Sequence, residues 1–247
     1  MNNILEVKNL KKTFHTKDGE IQALENVSFE LKDQEFVSII GPSGCGKSTI
    51  LSILANLEPK SSGTINIKDK KIGYMLQQDS LFEWKTVLEN CMLGLELEKK
   101  ATKENKEKVI KLLETYGLKD FINEYPNHLS GGMRQRVALI RTLATTPDIL
   151  LLDEALSALD YQSRLAISDD IYKIMKKEKK TVIMVTHDIA EAISMSDRII
   201  VLSKRPAIVK KTYDINLSNK STPIENRKCK EFSILYDKIW RDLDVHI

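Results

Sequence analysis

The apolar positions along this chain fall into three rhythms, and each predicts a different element. Ile4-Leu5-Glu6-Val7 and the run from Ala23 to Leu31 partly alternate, with the turn-like Lys17-Asp18-Gly19 between them. That pattern predicts two strands of an antiparallel sheet. Ser61-Ser62-Gly63 interrupts the chain before Thr64-Ile65-Asn66-Ile67-Lys68, a further alternating run able to return to the same sheet. Ile149-Leu150-Leu151-Leu152 and Val182-Ile183-Met184-Val185 are short and continuously apolar, as strands of a parallel sheet buried on both faces are. The helical segment from about Tyr161 to Lys177 between them reads as their crossover.

From about Thr86 to Thr145 the rhythm is helical. Val109, Leu112, Leu113 and Tyr116 fall at i, i+3, i+4 and i+7 on a lysine- and glutamate-rich segment. The expected architecture is α/β: a parallel-sheet core, an antiparallel β subdomain, and an inserted helical subdomain over about 86–145. Residues 1–203 form the main domain in this reading. Residues 204–247 form an extension ending in an amphipathic helix, whose stripe Phe232, Leu235, Tyr236, Ile239, Trp240 and Leu243 is read as docking on its own core, with dimer contact as the alternative. Neither an internal repeat nor a low-complexity stretch is found.

Composition narrows the class. At 247 residues, 42% hydrophobic and 30% charged, the chain has the make-up of an ordinary globular protein. A net charge of +3 is too small to argue for a nucleic-acid surface, and no nucleic-acid partner is expected. Cys45, Cys91 and Cys229 are odd in number and scattered, which favours free thiols in a reducing compartment. The first residues lack the pattern of a signal peptide, and no apolar run reaches membrane-spanning length. The expectation is a cytosolic chain that meets a membrane only through a partner.

Candidate chemistry begins at Gly41-Pro42-Ser43-Gly44-Cys45-Gly46-Lys47-Ser48-Thr49. This is a complete phosphate-binding loop between the apolar run Phe36–Ile40 and a helical pattern from Ile50. Gly41, Gly44 and Gly46 let backbone N–H groups turn toward phosphate oxygens, and the helix beginning near Lys47 adds a partial positive charge. Lys47 can reach the β- and γ-phosphates, and Ser48 can ligate Mg²⁺. Asp153-Glu154 follows an apolar strand, where one carboxylate can hold Mg²⁺ and its neighbour can polarise water. In Leu129-Ser130-Gly131-Gly132-Met133-Arg134-Gln135-Arg136, Ser130 can cap a helix while Gly131 and Gly132 expose N–H groups at its positive end, a second anion site.

This last stretch resembles the signature motif of ABC-transporter ATPases, and other motifs of that family occur in its order over residues 4 to about 203. The resemblance implies a P-loop NTPase core, with ATP and Mg²⁺ as cofactors. Ser43, Cys45 and Thr49 are then loop residues at the nucleotide, and Ser48, Gln77 and Asp153 are metal ligands. Gln77 resembles the Q-loop glutamine, with Gln78 beside it as the other choice. Asp160, in Ser157-Ala158-Leu159-Asp160, resembles the end of the D-loop. His187 resembles the switch histidine that contacts the γ-phosphate, Glu154 the catalytic glutamate, and Phe14 the aromatic that stacks on adenine. The family closes Ser130-Gly131-Gly132 of one subunit over ATP held by the other, which implies an ATPase dimer, most simply a homodimer.

A lone ATPase domain without a span resembles the importers of the family. Leu81–Asn90, Met133 and the Ser203-Lys204-Arg205-Pro206 turn expected after the last strand resemble the nitrate/sulfonate/taurine-type import ATPases. The implied partners are separate integral-membrane permease subunits and, indirectly, an extracytoplasmic substrate-binding protein, with this chain on the cytoplasmic face of the cell membrane. Phe82 and Trp84 are read either as permease anchors or as local core. Glu83, Ala155 and a short Gly63–Gln77 connection depart from the subfamily pattern. Nitrate, a sulfonate, bicarbonate, a thiamine-pathway pyrimidine or a flavin all stay open as the solute. A soluble ABC ATPase acting on ribosomes or DNA is the alternative. One ATPase domain and no sustained heptads over residues 99–118 argue against it, and a GTPase or kinase would have no use for Ser130-Gly131-Gly132.

Overall fold

The computed structural model describes residues 3–17, 19–157 and 159–243. Its strands are β1 (Asn3–Thr16), β2 (Gly19–Lys32), β3 (Phe36–Ile40), β4 (Ser62–Asn66), β5 (Ile72–Met75), β6 (Ile149–Asp153), β7 (Thr181–Val185), β8 (Arg198–Leu202) and β9 (Ala207–Asp214). Among the described residues they form one sheet in the order β4-β1-β2-β9-β8-β3-β7-β6-β5. Strands β8, β3, β7, β6 and β5 run parallel. β1 pairs antiparallel with both β2 and β4, so the run after Gly63 does return to the first sheet.

The continuous apolar runs have a direct cause. Along β3, β6 and β7, Val37, Ile39, Leu151, Ile183 and Val185 face one core, whereas Leu150, Leu152, Val182 and Met184 face another. Both faces of these strands are covered, so alternation with polar residues would leave unpaired groups buried. Helix α1 (Lys47–Leu54) follows β3 directly. Helices α2 (Val87–Leu97), α3 (Lys103–Thr115) and α4 (Gly131–Ala144) intervene between β5 and β6, and Val109 and Leu113 are the buried residues of the α3 stripe. Helix α5 (Tyr161–Lys177) is the crossover from β6 to β7, with the residues expected for it.

Two readings of the C-terminal third are corrected. The Ser203–Pro206 turn does not follow the last strand; it joins β8 to β9, which pairs antiparallel with β8 and parallel with β2 and so links the two halves of the sheet. The lysines at 210 and 211 hid this strand, whose second partner, β2, lies far away in sequence. Helices α6 (Ile189–Met195), α7 (Pro223–Asn226) and α8 (Lys230–Asp242) complete the fold. The terminal stripe is only partly docked. Ile239 and Leu243 join a core with Ile189, Ile193 and Val201, while Trp240 remains 41% exposed. The last four residues of the expected extension lie outside the described residues.

Candidate active site

The loop after β3 is built on glycines that cannot be replaced freely. Gly46 has φ +116°, and a Cβ there would sit 2.8 Å from Leu24 Cδ2 of β2. A Cβ on Gly41 would meet Cys45 Sγ at 2.9 Å and Leu202 at 3.1 Å. The chain can therefore bend over its own sheet only because these side chains are missing. Cys45 is buried and packs beneath the loop, with its N–H donating to Pro42 O at 3.2 Å, so it reaches a ligand through backbone at most. Lys47, the first residue of α1, is also buried, and its Nζ donates to Gly41 O (2.9 Å) and Pro42 O (3.1 Å). Those two carbonyls hold the ammonium inside the loop at the positive end of α1.

A cavity of about 230 Å³ opens on this loop. Ser43, Gly44, Gly46, Lys47, Ser48 and Thr49 line it, with Glu154 facing them. Phe14 lies on its wall with Ile21 and Ala23 of β2, and Lys12 Nζ sits 4.5 Å from the Phe14 ring centroid. Arg205 completes the lining. Ile21 and Arg205 were not expected there. Arg205 belongs to a turn singled out for another reason, and Ile21 reads in sequence as an ordinary strand residue.

Two strand ends supply the acidic groups. Asp153, the last residue of β6, accepts from Ser48 Oγ at 2.9 Å through Oδ1 and from Tyr74 Oη at 2.9 Å through Oδ2. Burial, and then the Asp153 charge, push the Tyr74 phenol up to about 12, so it remains a donor to that carboxylate. No sequence signal marked Tyr74, which stands 79 residues before its partner. Ser48 and Asp153 present hard oxygens one hydrogen bond apart, a donor set that suits Mg²⁺, which needs few protein ligands beside phosphates and water.

Glu154 has φ +45°, a left-handed conformation costly for a residue with a side chain. Its N–H donates to Val185 O at 2.9 Å on β7, and its carbonyl accepts from Ser157 N at 3.0 Å. This turn carries the carboxylate out of the strand line. Glu154 Oε2 lies 3.3 Å from Gln77 Nε2 and 3.3 Å from His187 Nδ1. Of the two candidate glutamines, Gln77 is the one that touches Glu154. The structure thus joins β3–α1, the segment after β5, the end of β6 and the end of β7 around one point.

Ser130, Gly131, Gly132 and Asp160 do not line that cavity. Ser130 caps α4 by accepting from Met133 N at 3.3 Å, and Asp160 caps α5 by accepting from Ser163 N at 3.0 Å. A Cβ on Gly132 would lie 2.7 Å from Ile167 Cδ1, so this glycine also serves the close packing of α4 on α5. Ala158, beside Asp160, lies outside the described residues.

The segment after Gln77 is tied to α4. Arg134 donates to Asp79 from Nε at 2.8 Å and from NH2 at 3.2 Å, and NH2 also reaches Glu83 at 2.9 Å. Arg141 donates to the carbonyls of Ser80 (2.7 Å) and Asp79 (2.6 Å). Next to this, buried Asn90 accepts from Phe82 N and donates to the carbonyls of Phe82, Lys85 and Thr86. It closes a turn that leaves Trp84 73% exposed, 4.9 Å from the half-buried Phe82 ring.

Comparison with known proteins agrees with this arrangement. A family model described as ABC transporter matches residues 24–157. The chain belongs to the ABC transporter ATP-binding family. It is 41% identical to the ABC transporter ATP-binding protein YtlC of Bacillus subtilis over 97% of this chain and 95% of the other. It is 38% identical to the aliphatic sulfonates import ATP-binding protein SsuB of Bacillus thuringiensis, over 97% and 96% respectively. Proteins named for nitrate and taurine import share 37% and 38% identity with it. Among solved structures, the cassette MJ0796 aligns at TM-score 0.74 and 36% identity, covering 86% of this chain and 99% of that one. That cassette is known as a dimer and in a post-hydrolysis state bound to ADP and Pi. This chain is accordingly an ABC ATPase.

Proposed function

We propose that this ABC ATPase is the energy-coupling subunit of an importer for a small anionic or zwitterionic solute of the nitrate, sulfonate or taurine kind. It works as a homodimer on separate permease subunits at the cytoplasmic face of the membrane, with an extracytoplasmic binding protein delivering the solute. Relatives named for import support the transport direction. The observation that carries the coupling role is Trp84, exposed on a turn that buried Asn90 holds with four hydrogen bonds. A large aromatic so exposed yet so firmly presented suits a protein anchor.

In the catalytic cycle, ATP lies against Phe14 with its phosphates in the 41–49 loop. The backbone N–H groups and Lys47 bind the β- and γ-phosphates at the positive end of α1. Ser48, Asp153 and Gln77 would hold Mg²⁺, which would supply charge to offset that of the phosphates. The donors Tyr74 and Ser48 hold the Asp153 carboxylate in place. Glu154 orients and deprotonates the attacking water, and what supports that role is its position between Gln77 and His187. His187 holds the γ-phosphate end of the site. Ser130, Gly131 and Gly132 do not line the cavity on their own phosphate loop. They act on the nucleotide of the other subunit, with Asp160 at the same interface, so each site is complete only in the closed dimer. Hydrolysis there releases the sandwich, and the Asp79–Arg134 tie passes the motion to the Trp84 turn.

Affinity purification of the tagged chain from solubilised membranes of its native host tests the reading. The expected result is recovery of a multi-span permease with the wild type and its loss with Trp84→Glu, ATP binding being unchanged. Recovery of ribosomes or nucleic acid with no membrane protein would overturn it.

A further inference from the structure

A second concave site lies away from the nucleotide, where α3, the end of α4 and the end of α5 meet. It encloses about 430 Å³, within the ~300–1,000 Å³ range of small-molecule pockets. Its floor is apolar, made by Val109, Leu112 and Leu143. Its rim is strongly basic, with Lys108, Lys111, Lys177 and Lys180 set against the single carboxylate of Glu178. Lys108 pairs with Glu104 and Lys180 donates to Pro147 O, whereas Lys111 and Lys177 form no ion pair among the described residues. Tyr116 also belongs to the lining.

We infer that this cavity binds a small amphipathic anion, whose short apolar body rests on Val109, Leu112 and Leu143 and whose anionic head meets Lys111 and Lys177. The charge balance of the rim selects an anion over a neutral apolar molecule. The concave shape selects a free small molecule over a membrane surface, which needs a flat or convex face. The bound molecule bridges the C-terminal ends of α4 and α5, the helices whose N-terminal ends are capped by Ser130 and Asp160.

Isothermal titration of the full chain, with ADP present to fill the nucleotide site, tests this with 1-hexanesulfonate as probe. Hexanol, inorganic sulfate and phosphatidylglycerol vesicles serve as comparisons. One saturable site per chain is expected for 1-hexanesulfonate, with hexanol and sulfate at least tenfold weaker. The double variant Lys111→Gln/Lys177→Gln weakens it about tenfold, while ADP affinity stays the same. Both lysines are exposed, so the double variant retains the fold. Absence of saturable binding, equal affinity for hexanol, indifference to the lysine changes, or binding to vesicles alone would each overturn the inference.

Discussion

Replacing Arg134 with alanine should cost this protein about 2 kcal/mol of stability, most of it through Asp79. Arg134 makes two hydrogen bonds to Asp79 and one to Glu83, and it also donates to Pro126 O at 3.3 Å. The side chains of Arg134, Asp79 and Glu83 are 26%, 18% and 52% exposed. An exposed pair contributes about 0.2–1 kcal/mol and breaking a buried one costs about 3–5. Glu83 belongs near the low end of that scale. Asp79 lies between the two limits, at about 1.5 kcal/mol. For a protein of this size that total corresponds to a fall in Tm of about 4–8 °C. A double-mutant cycle of Arg134→Ala and Asp79→Ala, followed by thermal or urea unfolding, should give a coupling of about 1–1.5 kcal/mol.

The sign of the pH dependence is set by Asp79. Burial works to raise its pKa, but the Arg134 hydrogen bond, the Leu81 N–H and the nearby arginine charges together hold it below the usual carboxylate value. Its stabilising contribution is therefore present above the unfolded-state value near pH 4 and lost as pH falls through the lower folded value. The Arg134→Ala deficit should shrink on acidification. A coupling below about 0.3 kcal/mol, or a deficit that grows at low pH, would refute the account of this tie.

Further outcomes follow from the same geometry. Tyr74 keeps its proton to about pH 12 in the folded chain rather than 10, so its contribution is complete below pH 10 and lost between pH 10 and 12. Solvent access to the half-buried ring reduces this to about 1 kcal/mol. The difference between wild type and Tyr74→Phe over that window, measured by urea unfolding, should vanish toward pH 12; a constant difference would contradict it. Buried Cys91, pushed up to about 12 by burial, loses stability over a similar range and cancels in that subtraction. Lys47→Ala should lower ATP affinity at least tenfold by titration with a fluorescent nucleotide, and unchanged affinity would refute the loop assignment.

How much was legible in the sequence depended on how local the cause was. The parallel strands β6 and β7 were plain because burial on two faces leaves a continuous apolar run, and α5 was plain because its pattern fills the gap between them. The phosphate loop carries its own glycines and lysine in one stretch. β5 and β9 were hidden: the first is four residues long, and the second mixes apolar residues with lysines because it bridges two half-sheets. Tyr74 on Asp153, Arg205 on the cavity wall and Asn90 under the Trp84 turn depend on contacts that only the folded chain creates. Gln77 was separable from Gln78 only by its distance to Glu154. The glutamate at 83, a departure from the subfamily pattern, has a structural use as the third carboxylate oxygen on Arg134.

The central claim is that Glu154 drives hydrolysis in a site that two subunits complete. Size-exclusion chromatography with light scattering on Glu154→Gln, run with ATP and Mg²⁺ and paired with phosphate release, tests it most directly. The account predicts a stable ATP-bound dimer whose turnover is reduced at least a hundredfold, with wild type mainly monomeric under the same conditions. A Glu154→Gln protein that turns over ATP at the wild-type rate, or binds ATP and stays monomeric, would contradict it.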